Sequence, residues 1–144
     1  MVGVEEKEFS ILVPKYDNSG RKIKSEIIEK FANKMSKRFG GVSIVPSVLG
    51  CWVNKDTGKL ECEENIKMTS VRDLDNYKSE ILKGEIIRED VKFIKSLSKE
   101  IGKELGQSEV LTIEDNVDAS FIKGKRKKEL EQEKLGVDWF EKLI

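Results

Sequence analysis

Residues 42–71, VSIVPSVLGCWVNKDTGKLECEENIKMTSV, decide the fold. Two runs rich in β-branched and aromatic residues flank Asn54-Lys55-Asp56-Thr57-Gly58, a string of turn formers. The pattern predicts two long strands, Val42 to Val53 and Lys59 to Val71, joined as a hairpin with Gly58 where a positive φ is required. Pairing Asn54 with Lys59 fixes a register. On one face Val53 meets Leu60, Cys51 meets Cys62, Leu49 meets Glu64 and Val45 meets Met68. That face is mostly apolar and is expected to lie under helices. The opposite face pairs Trp52 with Glu61, Gly50 with Glu63, Val48 with Asn65, and Ile44 with Thr69. Pro46 marks a bulge or an edge strand, so the parity of residues before it stays open.

Upstream, Glu8 to Pro14 is a run of strand formers stopped by proline, followed by the turn-forming Tyr16-Asp17-Asn18-Ser19-Gly20. Ser25 then reads as an N-cap, and Ile27, Ile28, Phe31, Met35 and Phe39 recur at helical spacing up to Gly40-Gly41. Downstream, residues 73–84 read as a polar connection with one turn of helix around Tyr77, Ile81 and Leu82. A second amphipathic helix carries Ile87, Val91, Ile94, Leu97, Ile101 and Leu105 and closes at Gly106. Val110 to Ile113 is a short strand, and Val117 to Ile122 is expected to extend it.

The order strand, helix, strand, strand, helix, strand is the ferredoxin-like βαββαβ plan: an α+β fold with an antiparallel sheet and both helices on one face. We assign residues 1–122 to this domain and 123–144 to a basic, amphipathic C-terminal helical extension. The architecture supports many functions and selects none. It does leave a second sheet face to cover. Trp52, Val48 and Ile44, with either Phe9, Ile11 and Val13 or their alternates, would form an apolar patch there. A homodimer packing sheet on sheet would cover it, and so would the C-terminal extension.

Phe39-Gly40-Gly41-Val42-Ser43, Gly50-Cys51-Trp52 and Gly58 before a glutamate-bearing strand resemble a group of short uncharacterised prokaryotic and phage-borne proteins. The resemblance rests on an F-G-G-[VAT]-[TS] junction and a G-x-W hairpin, and it covers the chain to about Val71. It implies the fold and carries no activity, cofactor or catalytic residue. The glycines have a structural role in any case. Gly40-Gly41 turns helix into strand, and Gly50 leaves room for a large side chain to lie across it.

Composition narrows the chemistry. The 144 residues include 27 Lys+Arg, 27 Asp+Glu and no histidine, which removes Ser-His and Cys-His catalytic pairs and His-containing zinc sites. Zero net charge argues against a strongly cationic nucleic-acid binder. No apolar stretch has the length of a membrane span, and the N-terminus lacks the basic-then-apolar plan of a signal peptide. Two cysteines are too few for a disulfide framework, so a cytoplasmic location is expected.

Few groups remain that could carry chemistry. Cys51 and Cys62 are predicted cross-strand neighbours. They read either as small buried core residues, the favoured reading, or as a redox-sensitive pair clipping the hairpin. Glu61, Glu63 and Glu64, with Asp73 and Asp75 downstream, are the one carboxylate constellation. Glu61 and Glu63 share a face beside Trp52 and are the weak catalytic candidates, against the plainer reading of a solvated strand edge. No metal site or cofactor is expected, and no phosphate-binding loop motif is present. Lys125, Arg126, Lys127 and Lys128 are candidate phosphate contacts, but Glu129, Glu131 and Glu133 follow at once, which disfavours nucleic acid as a partner. Trp139 and Phe140 are too apolar for an idle terminus and are candidate interface residues, with Trp52, Val48 and Ile44.

The sequence thus favours a small, dimeric, non-enzymatic interaction or regulatory protein. A ligand-binding protein or enzyme using Trp52, Glu61 and Glu63 is the alternative. Nucleic-acid association through residues 125–128 is the third.

Overall fold

Alternation along the first strand decides where the core sits. In a computed structural model describing residues 6–107, 109–117 and 124, β1 (Glu6–Pro14) turns Phe9, Ile11 and Val13 to one side, where all three are fully buried. Two helices cover that side. Helix α1 (Ser25–Phe39) contributes Ile28, Phe31, Ala32 and Met35, and α2 (Glu80–Leu105) contributes Ile94, Leu97, Ile101 and Leu105. Strands β2 (Ser43–Val53), β3 (Leu60–Arg72) and β4 (Thr112–Val117) complete the sheet, with Ile66 and Met68 of β3 joining the core.

The spatial order is β2-β3-β1-β4, with every neighbouring pair antiparallel. This is the ferredoxin-like arrangement, with β1 and β3 central. The open face therefore takes the alternates of the core residues: Ser10, Leu12 and Pro14 on β1, and Asn65, Lys67 and Thr69 on β3. Ser10 and Thr69 face one another there, their hydroxyl oxygens 2.8 Å apart in a hydrogen bond. A polar pair at its centre makes this face less apolar than a Phe9-Ile11-Val13 face would be.

Element boundaries shift for local reasons. The residue flanking α1 is Lys24, with no side-chain cap, and Ser25 is the first helical residue. Helix α2 starts near the expected single turn, at Glu80, because the Ser79 hydroxyl accepts hydrogen bonds from the backbone N–H groups of Ile81 (3.2 Å) and Leu82 (3.4 Å). Gly84 is then carried inside the helix, at a typical cost of about 1 kcal/mol relative to alanine. Gly40 (φ 91°) and Gly106 (φ 65°) end the two helices in the left-handed conformation that favours glycine.

The β2–β3 hairpin closes as its residues demand. Asn54 donates its N–H to the Lys59 carbonyl at 2.8 Å, and Gly58 sits at φ 69°. From Val53–Leu60 back to Val48–Asn65 the register is the expected one. Between Val45 and Val48 it shifts, and the bulge at Pro46-Ser47 reverses the parity upstream. Ile44 therefore faces Met68 and packs against the core, whereas Val45 faces Lys67 and is exposed. This corrects the placement of Ile44 on the open face. The extra residue in the bulge turns each earlier side chain to the other side.

Candidate functional site

Beyond Ile66 the hairpin outruns both helices. Its outer half, residues 48–53 and 60–64, is a two-stranded ribbon on which Leu49, Trp52, Val53 and Leu60 are all exposed. On the open-face side this ribbon forms one wall of a cleft of about 820 Å³. Gly50, Trp52, Glu63 and Asn65 come from the ribbon wall, Leu12 and Pro14 form the floor, and Gln107, Glu109, Val110 and Leu111 supply the opposite wall. That opposite wall is the connection from α2 to β4. It is fixed at one end by the Gln107 N–H, which donates to the Gly102 carbonyl at 2.8 Å, and at the other by the Leu111 carbonyl, which accepts from the Leu12 N–H at 3.0 Å.

Gly50 is needed for the shape of the wall. A Cβ there would lie 3.3 Å from Nδ2 of Asn65, so the side chain that crosses the glycine is the asparagine amide. Asn65 is itself held by donating to the Glu63 carbonyl oxygen at 3.3 Å. Trp52 remains 46% exposed, which leaves ring surface available to a ligand. Among the described residues the cleft lining carries two carboxylates, Glu63 and Glu109, and no lysine or arginine. Its chemistry is that of an aromatic surface, aliphatic floor, two amides and negative charge.

The structure separates the acidic constellation into four parts. Glu63 lines the cleft. Glu61 pairs with Trp52 across the strands but is drawn to the hairpin turn, where its carboxylate accepts from Nδ2 of Asn54 at 3.1 Å. Glu64 lies on the other face, paired with Lys15 at 3.5 Å and accepting from the Ser47 hydroxyl at 3.2 Å. Asp73 and Asp75 are at the far end of β3, where their carboxylate oxygens come within 4.8 Å of Glu6. Glu6 is buried and accepts from the Leu74 N–H at 2.8 Å, and Asp73 accepts from the Asp75 N–H at 2.9 Å. Burial first, and the neighbouring aspartates next, push the Glu6 carboxyl above its ordinary value.

Cys51 and Cys62 face each other and are joined by a disulfide, and both residues are exposed on the ribbon. They are not core residues, because the helices end short of them. Cys51 also contributes to the cleft lining. Val48 lies opposite Asn65, half-buried, outside the cleft lining. Lys125, Arg126, Lys127, Lys128, Trp139 and Phe140 fall outside the described residues, as does the 118–122 part of the expected strand extension.

One polar cluster had no counterpart in the sequence reading. Asp90, fully buried on α2, binds Arg72 of β3 through two hydrogen bonds of 2.8 Å and Arg38 of α1 through one of 2.9 Å. Arg72 also lies over the Phe39 ring and Arg38 over the Phe93 ring. The cluster ties both helices to the sheet at the end remote from the cleft. The signal was present: Asp90 is three residues after Ile87 and four before Ile94, on the apolar stripe itself.

No protein-family model matches the chain, and no curated protein matches it. Among solved structures it is similar to a phage SAM lyase in complex with S-methyl-5'-thioadenosine, at 18% identity and a TM-score of 0.50, over 81% of this chain and 84% of that one. It is also similar to the divalent cation tolerance protein from Thermus thermophilus, at 10% identity and a TM-score of 0.48, over 81% of this chain and 87% of that one. The first of these likenesses is one of fold: an α+β ferredoxin-like chain. Among the described residues no helix is long and apolar enough to cross a membrane.

Proposed function

We propose that the chain is a small-ligand protein whose open-face cleft takes a flat, heteroaromatic compound bearing a positive charge. The observation that carries this reading is the lining itself: a half-exposed Trp52 in one cleft with Glu63 and Glu109 and, among the described residues, no basic side chain. A tryptophan face attracts both π-systems and cations, and two carboxylates raise the local concentration of cations. The same carboxylates disfavour phosphate esters. Among the described residues the Glu63 side chain makes no hydrogen bond or ion pair.

The ligand of the phage SAM lyase, a thioether nucleoside, is compatible in size and aromatic character with this cleft and supplies the first probes. S-adenosylmethionine presents the same ring with a sulfonium charge. The test is tryptophan fluorescence in a Trp139→Phe background, which leaves Trp52 as the sole reporter. Saturable quenching by adenosine-type sulfonium or thioether probes supports the reading. No response from Trp52 to any of them at millimolar concentration contradicts it.

Self-association is the second reading, favoured by the ribbon. Leu49, Val53 and Leu60 are 60–67% exposed on its helix-side face, and β2 is an edge strand whose eleven residues include no charge. Uncharged edges of this kind are pairing sites. Sedimentation velocity across a concentration series tests for a homodimer, with Leu49→Lys expected to shift the chain towards monomer.

A further inference from the structure

The Cys51–Cys62 bond joins the two strands of the ribbon, with Cys51 in the cleft wall. We propose that it is a reducible clip, a modification site for dithiol reductants, and that opening it loosens the ribbon and disassembles the ribbon wall of the cleft. Three observations carry this. Both cysteines are exposed, so a reductant reaches the sulfurs without unfolding the core. The ribbon they join projects past both helices, and among the described residues none of 48–53 or 60–64 is buried, burial beginning only at Asn65 at its base. A two-stranded hairpin without cover is marginal in water, so a covalent cross-link is a large part of what orders it. Third, Gly50, Cys51 and Trp52 are consecutive in the cleft wall, which couples the order of the ribbon to the shape of the site.

The chemistry balances with one dithiol. A thiolate of the reductant attacks one sulfur of the Cys51–Cys62 bond, and the other sulfur leaves as a thiolate and takes up a proton. The second thiol of the reductant attacks the resulting mixed disulfide and frees the first cysteine. The protein gains two electrons and two protons, and the reductant is oxidised to its cyclic disulfide. Oxidation of the two facing thiols by a disulfide compound reverses the sequence.

The effect on the cleft rests on the ligand reading above, but the opening of the ribbon does not, and the test separates them. The oxidised full chain is treated with dithiothreitol under native conditions, quenched with iodoacetamide, and weighed. Hydrogen exchange is then followed residue by residue. The expected result is addition of two alkyl groups to folded protein, and ribbon amides at 48–53 and 60–64 that exchange at least about tenfold faster, while the β1 amides Phe9, Ile11 and Val13 keep their protection. A Cys51→Ser/Cys62→Ser double variant should show the fast ribbon exchange permanently and no response to dithiothreitol. Probe affinity at Trp52 should fall at least about fivefold on reduction. Alkylation only at the rate of global unfolding overturns the proposal, as does unchanged ribbon exchange in the reduced chain. Ribbon loosening without any probe binding in the oxidised protein sinks the ligand reading and leaves the clip standing.

Discussion

Asp90 and Arg72 form a two-pronged ion pair, with Arg72 Nε to Oδ2 and an Arg72 terminal nitrogen to Oδ1 both at 2.8 Å, and the aspartate has no exposed surface. The Arg72 guanidinium holds its proton more tightly than usual chiefly because of this bond. A buried carboxylate is tolerable only when its charge and lone pairs are met, and Arg38 meets what Arg72 leaves over. Removing the acid strands Arg72, whose side chain is only 14% exposed.

Asp90→Ala should therefore destabilise the domain by about 3–5 kcal/mol, measured by urea unfolding. Asp90→Leu combined with Arg72→Met should recover much of that loss, because an apolar replacement for the whole pair avoids the stranded charge. A single Asp90→Ala variant as stable as the parent would mean that the triad carries no weight.

The bulge at Pro46 has its own signature. Ile44→Asp should cost upward of about 2 kcal/mol, since the side chain packs on the core opposite Met68. Val45→Asp, on the exposed side opposite Lys67, should stay within about 0.5 kcal/mol. An unbroken register would exchange the two results.

These contrasts mark how far the sequence could be read. Element order and the hairpin register from Val48 to Val53 were legible, because turn chemistry at Asn54 and Gly58 sets them locally. Ile44 was not, since a proline can end a strand or bulge it and only the packed sheet decides. The acidic residues show the same limit from another side. Glu63 reaches the cleft and Glu61 does not, because Asn54 draws Glu61 to the turn. Nor could spacing reveal that Gln107, Glu109, Val110 and Leu111 close the cleft, or that Glu6 meets Asp73 and Asp75 from the far end of the chain. Such contacts follow from topology.

Glu6 gives a pH dependence. Its carboxyl is raised in the folded state by burial and by Asp75 and Asp73, so the native state favours the protonated form. That contribution is complete below the ordinary carboxylate range, and it is lost as pH rises through the elevated folded-state value. Glu6→Gln, which keeps an acceptor for the Leu74 N–H, should match the parent in acid and exceed it in urea midpoint at pH 7. Parallel midpoint-against-pH curves for the two proteins would rule this out.

Gly58→Ala tests the hairpin turn. At φ 69° an added Cβ meets no neighbouring atom, so its cost is the backbone conformation alone, about 1–2 kcal/mol. Because the turn terminates the uncovered ribbon, the loss should appear as faster exchange of ribbon amides more than as a lower melting temperature. Equal loss of protection in β1 and in the ribbon would show that the ribbon is not separately ordered.

Charge and aromatic surface in the open-face cleft should together select the ligand. The decisive measurement is isothermal titration calorimetry on the oxidised chain, with S-adenosylmethionine, S-methyl-5'-thioadenosine and adenosine monophosphate as cationic, neutral and anionic probes of one ring. Affinity should fall in that order. Trp52→Ala should weaken the first two by about 1–3 kcal/mol, and Glu63→Gln should weaken the sulfonium selectively. Tightest binding by the monophosphate, or binding untouched by Trp52→Ala, would contradict it.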